Sequence, residues 1–164
     1  MPLADQDAAQ WDAALIDHAE ALLRRASRFG ATGRYQLEAA IQSAHVIRRR
    51  TGQADWPAIA QLYDALLALT GSPVVAINRA VAIAETRGAA DGLAALDAIH
   101  ADADADARAR LADYQPWWAA RAGLLARTGD RAGAALAYTH AIGLEADPAV
   151  RRFLQERRDA LLGC

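Results

Sequence analysis

A short acidic run is the part of this sequence whose residue types and spacing come nearest to metal chemistry. Asp102, Asp104 and Asp106 alternate with alanine, as ligands one, three and five of an EF-hand calcium loop do. Asp113 falls at position twelve, but a bidentate glutamate is needed there, and Ala107 replaces the glycine of the sharp turn. The spacing therefore predicts a solvated acidic loop, with a weak divalent-cation site as the alternative.

The other residue types used in catalysis form no recognisable set. The four histidines share no i,i+4 spacing and no HExxH context, which argues against a metal site. Cys164 has no base beside it, and the sequence contains no glycine-rich phosphate loop, GxSxG elbow or paired-carboxylate motif. We therefore expect no enzyme, no cofactor and no metal site.

Arginine supplies every basic side chain, because lysine is absent. The arginines cluster at three places: 24, 25 and 28; 48, 49 and 50; and 151, 152, 157 and 158. Most fall in the last turns of predicted helices, where a cation interacts favourably with the helix dipole, by about 0.3–1 kcal/mol. With a net charge of −2 and a pI near 6.1, the chain is not a general polyanion binder. A dipole role is favoured for the arginine clusters, with a surface for a protein partner and, less favoured, a surface for nucleic acid as the alternatives.

The composition bounds the class of protein. The 164 residues are enough for one domain with a real core, and at 54% hydrophobic but only 6% aromatic that core is aliphatic and alanine-rich. A single cysteine excludes an internal disulfide and favours a reducing compartment. Asp5 and Asp7 stand where a signal peptide has basic and apolar residues, and no apolar run could span a bilayer. We expect a soluble, cytoplasmic chain that does not contact membranes.

Every strong segment has the helical period, and none alternates as a strand does. Aspartate, proline and glycine mark the ends. Asp7 is predicted to cap the first helix, which ends at Gly30, and Asp55 the third. Roughly eight or nine helices are predicted, the remaining ones near 35–50, 72–87, 89–100 and 116–128, then after Asp130 and after Asp147.

The helices recur in pairs. Three of them carry a large residue and a partner three positions on, namely Tyr63 and Leu66, Leu96 and Ile99, and Tyr138 and Ala141. Tyr63 and Leu96 are 33 positions apart, close to the period of about 34 in tetratricopeptide repeats (TPRs), whereas Leu96 and Tyr138 are 42 apart. The acidic run lies in the longer interval and accounts for its excess.

The third unit follows the TPR spacing most closely. Its matching positions are Trp118, Ala122, Leu125, Ala134, Tyr138 and Ala141. It departs at Arg121, where leucine is usual, and at Pro148, which comes two positions late. Since stacked helical hairpins bury a continuous core, we predict an all-α, TPR-like helical-hairpin array forming a single domain over residues 1–164.

Two pairs of adjacent residues are candidate contacts. Trp117 and Trp118 lie about 100° apart on a helix, so one is expected in the core and the other as an exposed interface anchor; partial burial of both is the alternative. Asn78 and Arg79 occupy the centre of an otherwise apolar helix. We expect Asn78 to bond a neighbouring backbone group and brace the hairpin, with Arg79 pairing Glu38 or Asp64. Alternatively, both line a concave binding face.

Five segments in order resemble the C-terminal extension of one group of extracytoplasmic-function sigma factors. They are "DQDAAQWDAALI", "YQLEAAIQSAH", "DWPAIAQLYDALL", "SPVVAINRAVAIA" and "GLAALDAI". The resemblance covers nearly the whole chain. It departs at Ala8, where the group has arginine, while Asn78 and Arg79 match its LNRAVA segment.

This resemblance implies a TPR-like regulatory domain of a transcription initiation factor, with sigma regions 2 and 4 absent from this chain. The implied partners are those sigma regions, the RNA polymerase core or a signalling protein, and no direct contact with nucleic acid. A free-standing TPR-type peptide-binding adaptor is the alternative, and a small-molecule sensor with a pocket near Trp117 is a third class. The candidate interaction or register residues are Asp5, Gln6, Asp7, Trp11, Asp12, Tyr35, Asn78, Arg79 and Trp117.

Overall fold

The computed structural model describes residues 10–30 and 32–163, apart from the side chains of residues 48–51. These residues form nine α-helices and no strand, which confirms the predicted all-α class. Asp5, Gln6 and Asp7 lie outside the described residues. The helices are α1 (Ala13–Ser27), α2 (Arg34–Thr51), α3 (Trp56–Thr70), α4 (Pro73–Arg87), α5 (Ala89–Asp102), α6 (Ala105–Ala112), α7 (Gln115–Thr128), α8 (Arg131–Leu144) and α9 (Pro148–Leu162).

Aspartate side chains begin several helices where the sequence predicted them. Asp55 accepts a hydrogen bond from the Ala58 backbone N–H at 3.0 Å, and Asp130 accepts one from Gly133 at 2.8 Å. Gly129 ends α7 in the left-handed region, with φ at 89°, a conformation that glycine adopts without steric cost. Local chemistry therefore determines these boundaries.

The first helix starts later than predicted. Trp11 lies outside α1, which begins at Ala13, and Asp12 caps it by accepting the Leu15 N–H at 3.0 Å. An aspartate at this position competes for backbone donors and so favours a helix start over a helix interior. The expectation of a helix running through Trp11 was wrong for this reason.

The acidic run is not a loop. Asp104 accepts the Ala107 N–H at 2.7 Å and begins α6, so the alanines and arginines that follow are helical. The Arg108 guanidinium donates to the carbonyl oxygens of His100 and Ala101, at 3.1 and 3.0 Å, and so satisfies the end of α5. Among the described residues, no group of three or more His, Cys, Asp or Glu side chains could hold a metal ion.

The chain divides into two compact units at a boundary between Arg79 and Ala80, inside α4. In the first unit, α2 packs against α1 and against α3. Its core consists of Leu37, Ile41 and Leu66, with Tyr63 and Val75 packed against them. The prediction of one domain over residues 1–164 stays a prediction.

The second unit contains the TPR-like hairpin. There α7 packs against α5, α6 and α8, and α8 packs against α9. The buried cluster consists of Ala122, Leu125, Ala134, Ala137, Tyr138, Ala141 and Leu154, with Trp118 packed against it. All six positions chosen from the TPR spacing therefore meet in one core.

Helices α4 and α5 approach closely in this second unit. A Cβ atom added to Gly92 would lie 2.5 Å from the Ala84 Cβ and 2.8 Å from the Ala80 carbonyl oxygen. Alanine on one helix and glycine on the other thus allow backbone contact. Across the described helices, no segment combines the length and apolarity required to cross a membrane.

Candidate interaction site

A cleft on the first unit collects polar side chains over an apolar floor. We call it the α2–α4 cleft, because residues of α2, α3 and α4 line it, and its volume is about 330 Å³. Its lining residues are Arg34, Glu38, Ile41, Gln42, Tyr63, Leu66, Ser72, Val74, Val75 and Asn78. Ile41 and Leu66 are only 3% and 2% exposed and form the floor.

Helix α2 supplies one polar wall of the cleft. Arg34, Glu38 and Gln42 follow one another at intervals of four and share a face. The Arg34 Nε donates to the Glu38 carboxylate at 2.7 Å, and this pairing raises the pKa of Arg34. Gln42 is exposed beside them, so a charged pair and an amide line this wall.

Asn78 lies on the opposite wall and is exposed. Asn78 is an exposed position on a helix that is otherwise largely covered, and it lies about 100° from the buried Ile77. The buried residues of α4 are Ile77, Ala80, Ala82, Ile83 and Ala84. No described residue forms a hydrogen bond with its amide. The bracing hypothesis was therefore wrong, because α4 buries the neighbouring face and leaves this amide toward the cleft.

Arg79 does form an ion pair, and with one of its two predicted partners. Its Nε donates to the carboxylate of Asp64 on α3, while Glu38, the other candidate, is engaged by Arg34. Both members remain substantially exposed, at 35% and 54% of their side chains. The pair joins α3 to α4 at the edge of the cleft.

Two tyrosines lie at the α2–α4 cleft, one of them half-buried inside it and the other exposed beside it. Tyr63 is half-buried in the cleft, and desolvation by burial raises the pKa of its phenol. Tyr35 is 79% exposed at the start of α2, where its ring lies 5.9 Å from the Arg34 guanidinium carbon in a cation–π contact. Arg34 contacts the Tyr35 ring and lines the same cleft as Asn78, so Tyr35 and Asn78 lie on one surface of the first unit.

Trp11 and Asp12 lie on the other side of α2. With Leu15, His45 and others, they line a cavity of about 340 Å³ between the start of α1 and α2. Trp11 is half-buried there, and Asp12 is occupied as the cap of α1. These two candidates are therefore separate from the α2–α4 cleft, although Gln42 lines both cavities.

Trp117, one of the candidate interaction or register residues, is buried and is therefore not an exposed interface anchor. Trp117 is 3% exposed and stacks on His100, with ring centroids 6.2 Å apart. Trp118 is half-buried, donates its Nε1–H to the Ala112 carbonyl oxygen at 2.7 Å and stacks on His140 at 4.3 Å. Because α7 is flanked by helices on more than one side, both rings are covered.

Sequence reasoning missed several residues of the α2–α4 cleft. Arg34 and Gln42 were not singled out, Glu38 was named only as a partner for Arg79, and Tyr63 only as a repeat position. The four-residue spacing of polar side chains beside Ile41 was the available signal. Arg121, the departure from the TPR spacing, is explained by its ion pair with Asp97 on α5.

The described part of the chain is an all-α helical repeat protein. It is 34% identical over 159 residues, 97% of its length, to an uncharacterized protein of Rhizobium meliloti (strain 1021), and it spans 36% of that protein's length. No family model matches the chain, and no solved structure matches it.

Proposed function

We propose that this chain is a non-catalytic protein-interaction domain whose α2–α4 cleft receives an extended segment of a partner protein. The observation that carries the proposal is the exposed Asn78 amide, which has no hydrogen bond from a described residue and faces a cleft with an apolar floor. A side-chain amide offers both a donor and an acceptor, as a peptide group does. It can therefore hold a partner's backbone without requiring a particular side chain there.

The rest of the cleft suits the same occupant. Above the buried Ile41 and Leu66, Val74 is 44% exposed and Val75 is half-buried, so the cleft keeps apolar surface that a side chain of the partner can cover. Gln42 adds a second amide, and Arg34 with Glu38 adds both charge signs at the rim. Tyr35, exposed beside Arg34, is one of the residue types enriched among the anchors of protein interfaces.

We infer the partner from the resemblance to the C-terminal extension of extracytoplasmic-function sigma factors. On this proposal the domain works in the cytoplasm and contacts sigma regions 2 and 4 or the RNA polymerase core. Its contacts modulate transcription initiation while other parts of the factor read the promoter. The net charge of −2 supports contact with protein rather than with DNA.

The test is a binding titration of the purified chain against the sigma regions and against the polymerase core. We expect Asn78→Ala to weaken binding about tenfold, as loss of one central polar contact does. The matched control is Gln61→Ala, which removes an exposed amide of α3 outside the cleft and should leave binding unchanged. Because Asn78 is exposed, its variant should keep its free energy of unfolding within about 0.5 kcal/mol of the parent value.

The alternative is a free-standing TPR-type adaptor, which the TPR-like core of α7 and α8 favours. It predicts that the chain captures a peptide through the same cleft and binds neither the sigma regions nor the polymerase. That outcome would contradict the proposed role in transcription, and the α2–α4 cleft would remain the proposed binding site. If the Asn78→Ala and Gln61→Ala variants bind the partner equally well, the α2–α4 cleft is not the binding site.

A further inference from the structure

The hydrogen-bonding side chains that the α2–α4 cleft leaves open to a ligand are all uncharged. They are the amides of Gln42 and Asn78 and the hydroxyl groups of Tyr63 and Ser72. None of these four side chains forms a hydrogen bond with a described residue of the chain. Burial raises the pKa of the Tyr63 phenol, so this group stays protonated and neutral near pH 7. A ligand in the cleft therefore meets donors and acceptors that carry no charge.

The charged groups of the cleft are already paired within the chain. Of its lining residues only Arg34 and Glu38 are charged, and the Arg34 Nε donates to the Glu38 carboxylate at 2.7 Å. Arg79, at the edge of the cleft, is likewise paired with Asp64. A carboxylate or an ammonium group that approaches Arg34 and Glu38 meets one attractive and one repulsive charge. Either ion would lose water on entering and gain little net attraction in return.

The apolar surface of the cleft adds to the cost of bringing in an ion. An aliphatic side chain covers Val74 and Val75 favourably, whereas an ionised group placed on them is separated from water. The neighbouring amides and hydroxyls can at the same time bond the N–H and C=O groups of a peptide backbone. A neutral stretch of chain therefore matches both kinds of surface in the cleft.

We propose that the α2–α4 cleft selects an uncharged segment of its partner, one that bonds the open amides and hydroxyls through its peptide groups and places no charged side chain in the cleft. This inference rests on the proposed function, since it specifies the occupant of the same cleft. Selection arises because a charged residue at this place would stay without a partner or would separate Arg34 from Glu38. The bound segment forms no ion pair in the cleft, so salt has little effect on its affinity.

The first experiment selects ligands for the whole chain from a phage-displayed library of random peptides. Peptides that bind the Asn78→Ala variant more weakly than the parent, but bind the Gln61→Ala control as the parent does, occupy the cleft. We expect their cleft-binding stretch to lack Asp, Glu, Lys and Arg, and their affinity to stay within about twofold between low and high salt.

The outcomes of this selection separate the inference from the proposed function. If peptides weakened by Asn78→Ala depend on a charged residue for binding, the inference is overturned and the cleft remains a peptide site. If no selected peptide is weakened by Asn78→Ala, the proposed function fails, and the inference fails with it.

The second experiment places a charge in a selected peptide and then unpairs its counterpart in the cleft. Glutamate or lysine at a position that lies in the cleft should weaken binding to the parent about tenfold or more. Glu38→Gln leaves the Arg34 guanidinium unpaired and should restore binding of the glutamate peptide, whereas Arg34→Gln should restore binding of the lysine peptide.

The matched control for the second experiment is Asp97→Asn. It breaks an ion pair of the same kind and leaves Arg121 unpaired, but both residues belong to the second unit, so it should restore neither peptide. Glutamate and lysine peptides that bind the parent as tightly as the neutral peptide does, at every position replaced, would overturn the proposal. Equal restoration by Asp97→Asn and Glu38→Gln would overturn it as well.

Discussion

Arg79 on α4 and Asp64 on α3 form an ion pair, and each is the sequence neighbour of a residue that lines the α2–α4 cleft. Asp64 follows Tyr63, and Arg79 follows Asn78. The pair therefore joins the two helices at the level where a half-buried phenol and an exposed amide share one cavity. Its position outside the cleft leaves both of those groups available to a ligand.

We expect the Arg79–Asp64 pair to contribute modestly to stability. A double-mutant cycle with Arg79→Ala and Asp64→Ala should give a coupling energy of about 0.2–1 kcal/mol, because both side chains remain exposed to water. The coupling should fall in 1 M salt, where exposed charges are screened within about 3 Å. Urea unfolding of the four proteins measures it, and a coupling that salt does not change would contradict this expectation.

Gly92 is expected to tolerate no side chain. Gly92→Ala should lower the free energy of unfolding by about 1–3 kcal/mol, because the new Cβ would overlap Ala84 and the Ala80 carbonyl oxygen. The matched control is Gly123→Ala in α7, whose added Cβ meets no atom within 4 Å. That variant should gain up to about 1 kcal/mol from helix propensity. Equal effects in urea unfolding would show that α4 and α5 do not touch at Gly92.

Asp104 is expected to determine whether α6 forms. Asp104→Ala should cost about 1 kcal/mol, because it removes the acceptor of the Ala107 N–H at the start of an eight-residue helix. Asp106→Ala, in the first turn of the same helix, removes only a favourable charge near the dipole and should cost a few tenths of a kcal/mol. Amide hydrogen exchange over residues 105–112 measures the loss of helix α6 directly, because the amides of an unfolded helix exchange faster. Exchange in the parent as fast as in an unfolded peptide would restore the loop prediction.

Stability should decline above about pH 10 through two tyrosines. Burial raises the pKa of Tyr63, and it also raises the pKa of Tyr138, where Arg157 acts in the opposite direction. Between the unfolded and the folded pKa, the unfolded state has lost a proton that the folded state retains, so the free energy of unfolding falls as pH rises. Below that range both states are protonated, and these groups contribute no pH dependence.

The measurement is urea unfolding between pH 8 and 11 for the parent and for Tyr63→Phe and Tyr138→Phe. Each substitution removes one ionisable phenol, so each variant should lose less stability over this range than the parent does. Absorbance titration of the folded parent should show phenols that ionise at higher pH than the same phenols do in 6 M guanidinium. Identical pH profiles for the parent and both variants would contradict the role of burial.

Local sequence chemistry predicted much of the fold. The starts of α3, α8 and α9 follow from Asp55, Asp130 and Asp147, whose side chains accept backbone N–H groups within three residues. The TPR spacing likewise located a buried cluster, because small and large residues at fixed helical intervals must face a common neighbour. In both cases the determining interactions lie within one helix or one hairpin.

Other features depended on the packing of separate helices. The sequence placed Asn78 and Arg79 on α4, but the burial of Ile77 decided that the Asn78 amide faces outward, and the pairing of Glu38 with Arg34 left Asp64 for Arg79. Which of the two adjacent tryptophans of α7 is covered was equally open, and the neighbouring helices cover both, with His100 of α5 stacking on Trp117 and His140 of α8 on Trp118. The sequence alone determined where the aspartate-capped helices α3, α8 and α9 begin, because a cap acts within one turn. Only the tertiary structure decided which face of each helix meets water, because that depends on neighbours distant in the chain.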